Sequence, residues 1–317
     1  MREVLRLVTQ NGVHKKTAKG FSFLRPDEPG FAFLLNAPAV LLILLLVAYP
    51  MVHSVWLSLH NYHLKRPGRF PFVGLANYLK VLSSPEFWNA AKITAVFASS
   101  SILGVVLLGA LLALILNESF PGRGILRALV LLPWAMPPIV NALMWVWIFD
   151  GRLGAFNGLL YSLGIIDSYR VWLSNPVISL PIVIFAHVWN HVPFAAIVIL
   201  AALQAIPVEL YDAAKVDRAG VLQTFRHVTL PWLWQAITIV LILETMTAMR
   251  VFDEVYMMTA GGPGSATTVL AWLTYQTAFL TLDFGLGNTY SVILSIVTTV
   301  LTVLYIAVLS RRGDIQA

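Results

Sequence analysis

The sequence predicts an all-α polytopic membrane protein, and three observations carry that expectation. Hydrophobic residues make up 58% of the 317 and charged residues only 11%, against about 25% charged in a soluble domain. Apolar runs long enough to cross about 30 Å of hydrocarbon as helices recur far apart along the chain. Lipid offers backbone N–H and C=O groups no partner, and the strands of a membrane barrel would be shorter and alternating, so each span is expected to be helical.

The elements follow in order. Residues 1–30 are polar and carry Lys15, Lys16, Lys19 and Arg25. The apolar run after them exceeds the core of a signal peptide, so they read as a tail before a retained first span. Six spans are expected: Phe31 to Leu59, Ile93 to Leu116, Ala128 to Phe149, Val177 to Ile206, Leu230 to Met249, and Leu286 to Leu309. Residues 311–317 form a second tail. Prolines punctuate the spans at Pro38, Pro50, Pro133, Pro137, Pro138, Pro181 and Pro193, consistent either with kinks around a cavity or with simple curvature. Trp145, Trp147, Trp56, Trp172, Trp232 and Trp234 sit near span ends, where indole rings anchor to the interface.

Charge orients the chain. With the N-terminus inside, thirteen of the 21 Lys and Arg face the cytoplasm, including Arg123, Arg127, Lys215, Arg218, Arg226, Arg311 and Arg312, and six spans return the C-terminus to the same side. The net charge of +6 is thereby accounted for at the membrane, without nucleic acid as a partner. No cysteine is present, which excludes disulfides, thiolate nucleophiles and Cys-ligated metals.

The polar connector Ile206 to Pro231, between spans four and five, is the least lipid-like stretch of the apolar region. Pro207 suits a first helical turn, and Glu209 and Asp212 follow where the helix dipole favours acids, predicting a helix to about Val216. Asp217, Arg218, Ala219 and Gly220 supply a turn. Val221, Leu222, Phe225 and Val228 then recur at helical spacing, predicting a second short helix with an apolar stripe.

The order "DAA", three residues, Arg218, nine more, then Val228-x-Leu230-Pro231 resembles the EAA loop of permease subunits of bacterial binding-protein-dependent ABC importers. The strings "LVLLPWAMPPIVNALMWVWIF", "VWNHVPF", "LQAIPVELYDAA" and "RVFDEVYMMTAGGPG" extend the resemblance over most of the chain. It is greatest to the carbohydrate-uptake branch of maltose-type and glycerol-phosphate-type permeases. Asp212 stands where that family usually has Glu, and Arg218 where it usually has Gly, with Gly220 expected to supply the positive φ instead.

The resemblance implies a six-span permease in the bacterial cytoplasmic membrane, with both termini cytoplasmic. It would work with a second homologous permease subunit, two ATPase subunits and an extracytoplasmic binding protein. It also implies that residues 207–228 dock as paired helices in a groove on the ATPase, with Ala213, Ala214, Leu222 and Phe225 as buried contacts. Glu209, Asp212, Asp217, Gly220, Leu230 and Pro231 complete that coupling set. No cofactor is expected on this chain; ATP and Mg belong to the partner subunits. "GGPGSATT" is glycine-rich, yet no G-x-x-x-x-G-K-[ST] occurs, and it reads as a tight external turn.

Remaining polar residues in the spans define the other candidate site. Glu244 is the single charge within a span; burial in lipid would cost about 3 kcal/mol, so it is expected to face a cavity or an interhelical partner. Arg250 and Asp253, three apart, would pair on one helix face. Asn141, Trp145, Trp189, Asn190 and Glu244 are the residue types that hold sugars, with Arg250 and Asp253 at the mouth. His187 and His191 share a helix face at metal-site spacing, but no third ligand is evident from the sequence, and no metal is expected. Two other readings stay open: a proton-driven carrier using Glu244, and an intramembrane metal hydrolase.

Overall fold

The computed structural model describes residues 29–313 apart from 67 and 69. Residues 1–28 of the expected N-terminal tail and 314–317 of the C-terminal tail lie outside the described residues. The chain divides into two units, Met1–His53 and Ser54–Ala317. Among the described residues there are helices and two isolated β-bridges, and no strands.

Helix α1 (Pro29–Ile43) keeps Pro38 inside it and leads through a π turn, Leu44–Ala48, into α2 (Tyr49–Ser58), whose last five residues belong to the second unit. Phe33–Ser58 is one apolar helix of 26 residues. The π turn has a local cause. The Tyr49 N–H bonds to Leu44 O, and the next residue is Pro50, which lacks an N–H and crowds the carbonyl four residues back. Widening the ladder by one residue relieves that crowding without ending the helix.

In the second unit, α3 (Ala76–Leu82) leads to α4 (Pro85–Asn117), 33 residues long. The start of α4 is marked three ways: the Phe87 N–H donates to Ser84 Oγ at 3.1 Å, Pro85 opens the first turn, and Glu86 meets the positive end of the dipole. It begins about two turns before the expected Ile93.

Span three is where expectation and structure part. Instead of one helix from Ala128 to Phe149, α5 (Arg123–Val130) and α6 (Leu132–Ala135) are followed by α7 (Pro138–Ile148), with a bend of 94° between Arg123–Ala135 and Pro138–Ile148. A residue before proline is pushed out of the helical region. Met136 (ψ 135°) and Pro137 (ψ 139°) each precede one, so the Pro137-Pro138 pair breaks the helix rather than kinking it. Helix α8 (Ala155–Ser162) belongs to the following loop, which is organised by Asn157. That side chain donates to Asp150 O and Arg170 O and accepts from Arg170 N and Trp172 Nε1.

Span four is α9 (Ser179–Gln204), which makes its most extensive packing against α4. Without a hydrophobic drive between helices in lipid, close backbone approach favours small residues. Gly109 of α4 meets this requirement, since a Cβ there would lie 2.8 Å from Ala195 Cβ.

The connector forms α10 (Val208–Val216), ending where expected, and α11 (Val221–Thr224). A second π turn, Phe225–Thr229, joins α11 to α12 (Leu230–Ala248). Here the Leu230 N–H bonds to Phe225 O immediately before Pro231, the same device that precedes Pro50. Span five therefore begins nine residues before the expected Leu230, as one helix from Val221 to Ala248.

Beyond an unwound stretch at residues 249–252 come α13 (Asp253–Met258), α14 (Leu270–Tyr275) with a π turn Gln276–Leu280, and α15 (Phe284–Gly313). The glycine-rich string lies between α13 and α14 as a turn. Gly261 has φ 81° there, and its missing side chain leaves room for the Trp272 indole. Among the described residues, five helices are long and apolar enough to span a membrane, or six if the bent pair counts as one span.

Candidate functional site

Two regions carry chemistry. The first lies where α9, α12 and α13 meet. Glu244 does find an interhelical partner, and it is His187: Nε2 of His187 lies 2.9 Å from Glu244 Oε1, and Nδ1 lies 3.0 Å from Glu254 Oε1. All three residues are buried, at 2%, 4% and 3% exposure for His187, Glu244 and Glu254. The Phe97 ring meets His187 edge-on at 5.2 Å, and His191 stacks on it at 4.0 Å. An imidazolium donating from both nitrogens ties two otherwise costly buried acids to one helix.

Sequence reasoning missed Glu254 and the role of His187, because the unwound residues 249–252 are what bring Glu254 to α9. The same unwinding overturns the expected Arg250–Asp253 pair. Arg250 is exposed and donates from Nε to Met246 O at 2.9 Å, while Asp253 opens a new helix. Burial and the neighbouring Glu254 charge both raise the pKa of Asp253.

The other candidate path residues divide. Asn141 is fully buried on α7; its Nδ2 donates to Ala186 O at 3.1 Å and its Oδ1 has no partner. Asn190 Nδ2 donates to Pro133 O at 2.6 Å, tying α9 to α6. Half-buried Trp145 and Trp189 meet edge to face at 5.5 Å, and the Trp145 Nε1 is buried without a partner. An apolar groove of about 440 Å³ runs along α7 past Leu143, Trp147 and Leu153, and none of the expected path residues lines it.

The second region is the connector. Its turn closes helix α10 with two bonds, Arg218 N to Lys215 O at 3.0 Å and Ala219 N to Ala214 O at 2.9 Å. This is the Schellman arrangement, which needs a left-handed residue at its centre. Arg218 takes that conformation, with φ 54°, while Gly220 has φ −68°. The expectation that Gly220 supplies the positive φ is thus overturned: Gly220 instead caps α11, its N–H 3.4 Å from Gln223 Oε1. A left-handed non-glycine residue costs about 1–2 kcal/mol. Arg218→Gly is therefore expected to raise the melting temperature of the purified protein by about 1–3 °C. An unchanged or lower value in a thermal-shift assay would contradict the assignment of strain to this residue.

Around that turn large apolar side chains stand in the open: Val216 is 82% exposed, Val221 91% and Leu222 78%. Ala213 is exposed and Phe225 half-buried, while Ala214 is buried in its own chain and so is not available as a docking contact. Glu209 lies in the first turn of α10, and Asp212 pairs with Lys215 at 2.8 Å on the surface. Tyr211 Oη lies 3.2 Å from Thr229 Oγ1, bracing α10 on the π turn, and Leu230 and Pro231 continue into α12 half-buried.

The broken third helix pair, the buried ionic tie and the exposed apolar residues of the connector are set among helices long and apolar enough to cross a membrane. Residues 104–312 match the family described as binding-protein-dependent transport system inner membrane component, and the chain belongs to that family. It is 39% identical to the trehalose/maltose transport system permease protein MalF of Thermococcus litoralis, over 92% of this chain and 98% of that one. It is 34% identical to the sulfoquinovosyl glycerol transport system permease protein SmoG of Agrobacterium fabrum, over 89% and 91%. It is 33% identical to the trehalose transport system permease protein SugA of Mycobacterium tuberculosis, over 85% of each. The fold is also that of a bacterial ABC transporter involved in the import of the acidic polysaccharide alginate, with TM-score 0.77 at 22% identity, covering 89% of this chain and 95% of that one. The chain is a multi-pass transport subunit. Nothing in these likenesses supports the proton-driven carrier or the intramembrane hydrolase.

Proposed function

We propose that this chain forms half of the translocation pathway of an ATP-driven importer for a sugar or related polyol. It pairs with a second homologous permease and two ATPase subunits in a bacterial cytoplasmic membrane, and receives substrate from an extracytoplasmic binding protein. The relatives named for trehalose, maltose and sulfoquinovosyl glycerol support the substrate class. The observation that carries the coupling is the exposure of Val216, Val221 and Leu222 together around the connector's turn, with Val208 also exposed on α10. Apolar surface concentrated in this way marks a protein contact, and two short helices meeting at a turn fit a groove.

In this reading residues 207–228 are the cytoplasmic coupling segment and bear on the ATPase, where ATP and Mg are held. ATPase closure moves α10 and α11, and the rigid helix Val221–Ala248 carries the motion from the tip into the bundle. Nucleotide and docked binding protein must each favour one state over the other for the equilibrium to shift. Trp145 and Trp189 offer ring faces to the sugar, the fully buried Asn141 holds α7 to α9, and Arg250 and Asp253 edge the entrance. Asn190 and Glu244 hold the helices that shape it.

The test is uptake in vesicles holding the permease pair, the ATPase and the binding protein. Transport is expected to require internal ATP and to survive collapse of the proton gradient by an uncoupler. Uptake that ran without ATP and stopped with the uncoupler would overturn the proposal.

A further inference from the structure

We propose that His187, His191 and Glu244 bind one divalent transition-metal ion, with Zn²⁺ the best chemical match, as a tie between α9 and α12. One ligand atom from each of the three lies within 4.8 Å of the others. Zn²⁺ with bonds of 2.0–2.1 Å holds tetrahedral ligands about 3.4 Å apart, so binding requires the donors to draw in and the stacked rings, 23° apart in plane, to turn towards a common point. The third ligand that the sequence did not reveal comes from a different helix.

The orientation of both rings is independent support. His191 Nδ1 lies 2.9 Å from His187 O; a carbonyl only accepts, so Nδ1 is the donor, and in the neutral ring Nε2 keeps the lone pair. His187 Nδ1 is held 3.0 Å from Glu254 Oε1, leaving Nε2 on the Glu244 side. A carboxylate or carbonyl fixing the far nitrogen of a ligating histidine is the arrangement that metal sites use to set tautomer and ring direction. Both histidines have it.

Charge points the same way. Among the described residues, the ion pairs of Glu244 and Glu254 are with His187 alone. One imidazolium leaves one negative charge uncompensated in a buried site, and two imidazoliums stacked at 4.0 Å would repel each other. A divalent ion that displaces the Nε2 proton of His187 leaves both rings neutral and balances the two carboxylates. Two nitrogens and one carboxylate oxygen form a ligand set typical of Zn²⁺, with a fourth position open to water.

The test uses the whole purified transporter, stripped with EDTA, incubated with Zn²⁺ and desalted, with metal measured by mass spectrometry. His191→Gln is the informative variant, because it removes a ligand while leaving the His187 bridge to Glu244 and Glu254 in place. Wild type is expected to retain one Zn²⁺ per permease more than His191→Gln or Glu244→Gln. Its melting temperature should rise with Zn²⁺ and fall with chelator, whereas that of His191→Gln should not move. Equal Zn²⁺ in wild type and His191→Gln, or a wild-type melting temperature indifferent to both Zn²⁺ and chelator, would overturn the proposal.

Discussion

Replacing His187 with Leu is expected to cost about 3–5 kcal/mol and to reduce sharply the yield of folded transporter extracted from membranes. The substitution fills most of the ring's volume, so the loss is electrostatic rather than a cavity. Glu244 and Glu254 would be left buried with no cation between them, having come from α12 and from the far side of the unwound residues 249–252. Partial rescue is expected when both acids are neutralised together, in His187→Leu/Glu244→Gln/Glu254→Gln. The triple variant should be more stable than His187→Leu alone, a non-additivity that marks residues acting as one unit. Thermal unfolding of the purified complexes reads both effects. If His187→Leu matched wild type, or the triple variant were the least stable, the bridge would not be what holds these elements together.

Why this bridge was not legible in the sequence follows from how it is made. Glu244 announced itself, since a lone carboxylate in an apolar helix requires a partner. The partner could not be chosen because a regular helix would carry Glu254 on past the end of span five. Only the unwinding after Ala248 turns α13 back towards α9. Span three failed for a related reason: Pro137 and Pro138 were visible, but whether adjacent prolines kink or break a helix depends on what the two halves pack against. The broken ends here pack on α9. The paired π turns before Pro50 and Pro231 show the opposite outcome, proline accommodated by widening one turn. Spans two, four and six were readable because length and apolarity point to the same element there, and the helix Val208–Val216 because Pro207 and Glu209 mark its start.

The second large effect is expected at the connector tip, with Leu222→Asp. Leu222 is 78% exposed, so the change removes little packing within the chain. Expression and pairing with the second permease should be close to wild type. If the tip seats in an ATPase groove, the substitution forfeits a buried leucine contact of about 2 kcal/mol and puts an unpaired carboxylate in its place, which together exceed the loss of a typical interface hot spot. Substrate-stimulated ATP hydrolysis and uptake are therefore expected to fall by about 100-fold or more. Lys215→Ala is the control, since its pair with Asp212 is fully on the surface and contributes little; it should leave both activities nearly unchanged. Phe225→Ala is intermediate, because that ring is half-buried in its own chain and lies on the π turn. It should lower stability and coupling together, whereas Leu222→Asp should lower coupling alone. A Leu222→Asp transporter that assembled and kept wild-type stimulation would mean that this apolar tip touches no ATPase, and force would have to enter the bundle elsewhere than through the helix Val221–Ala248.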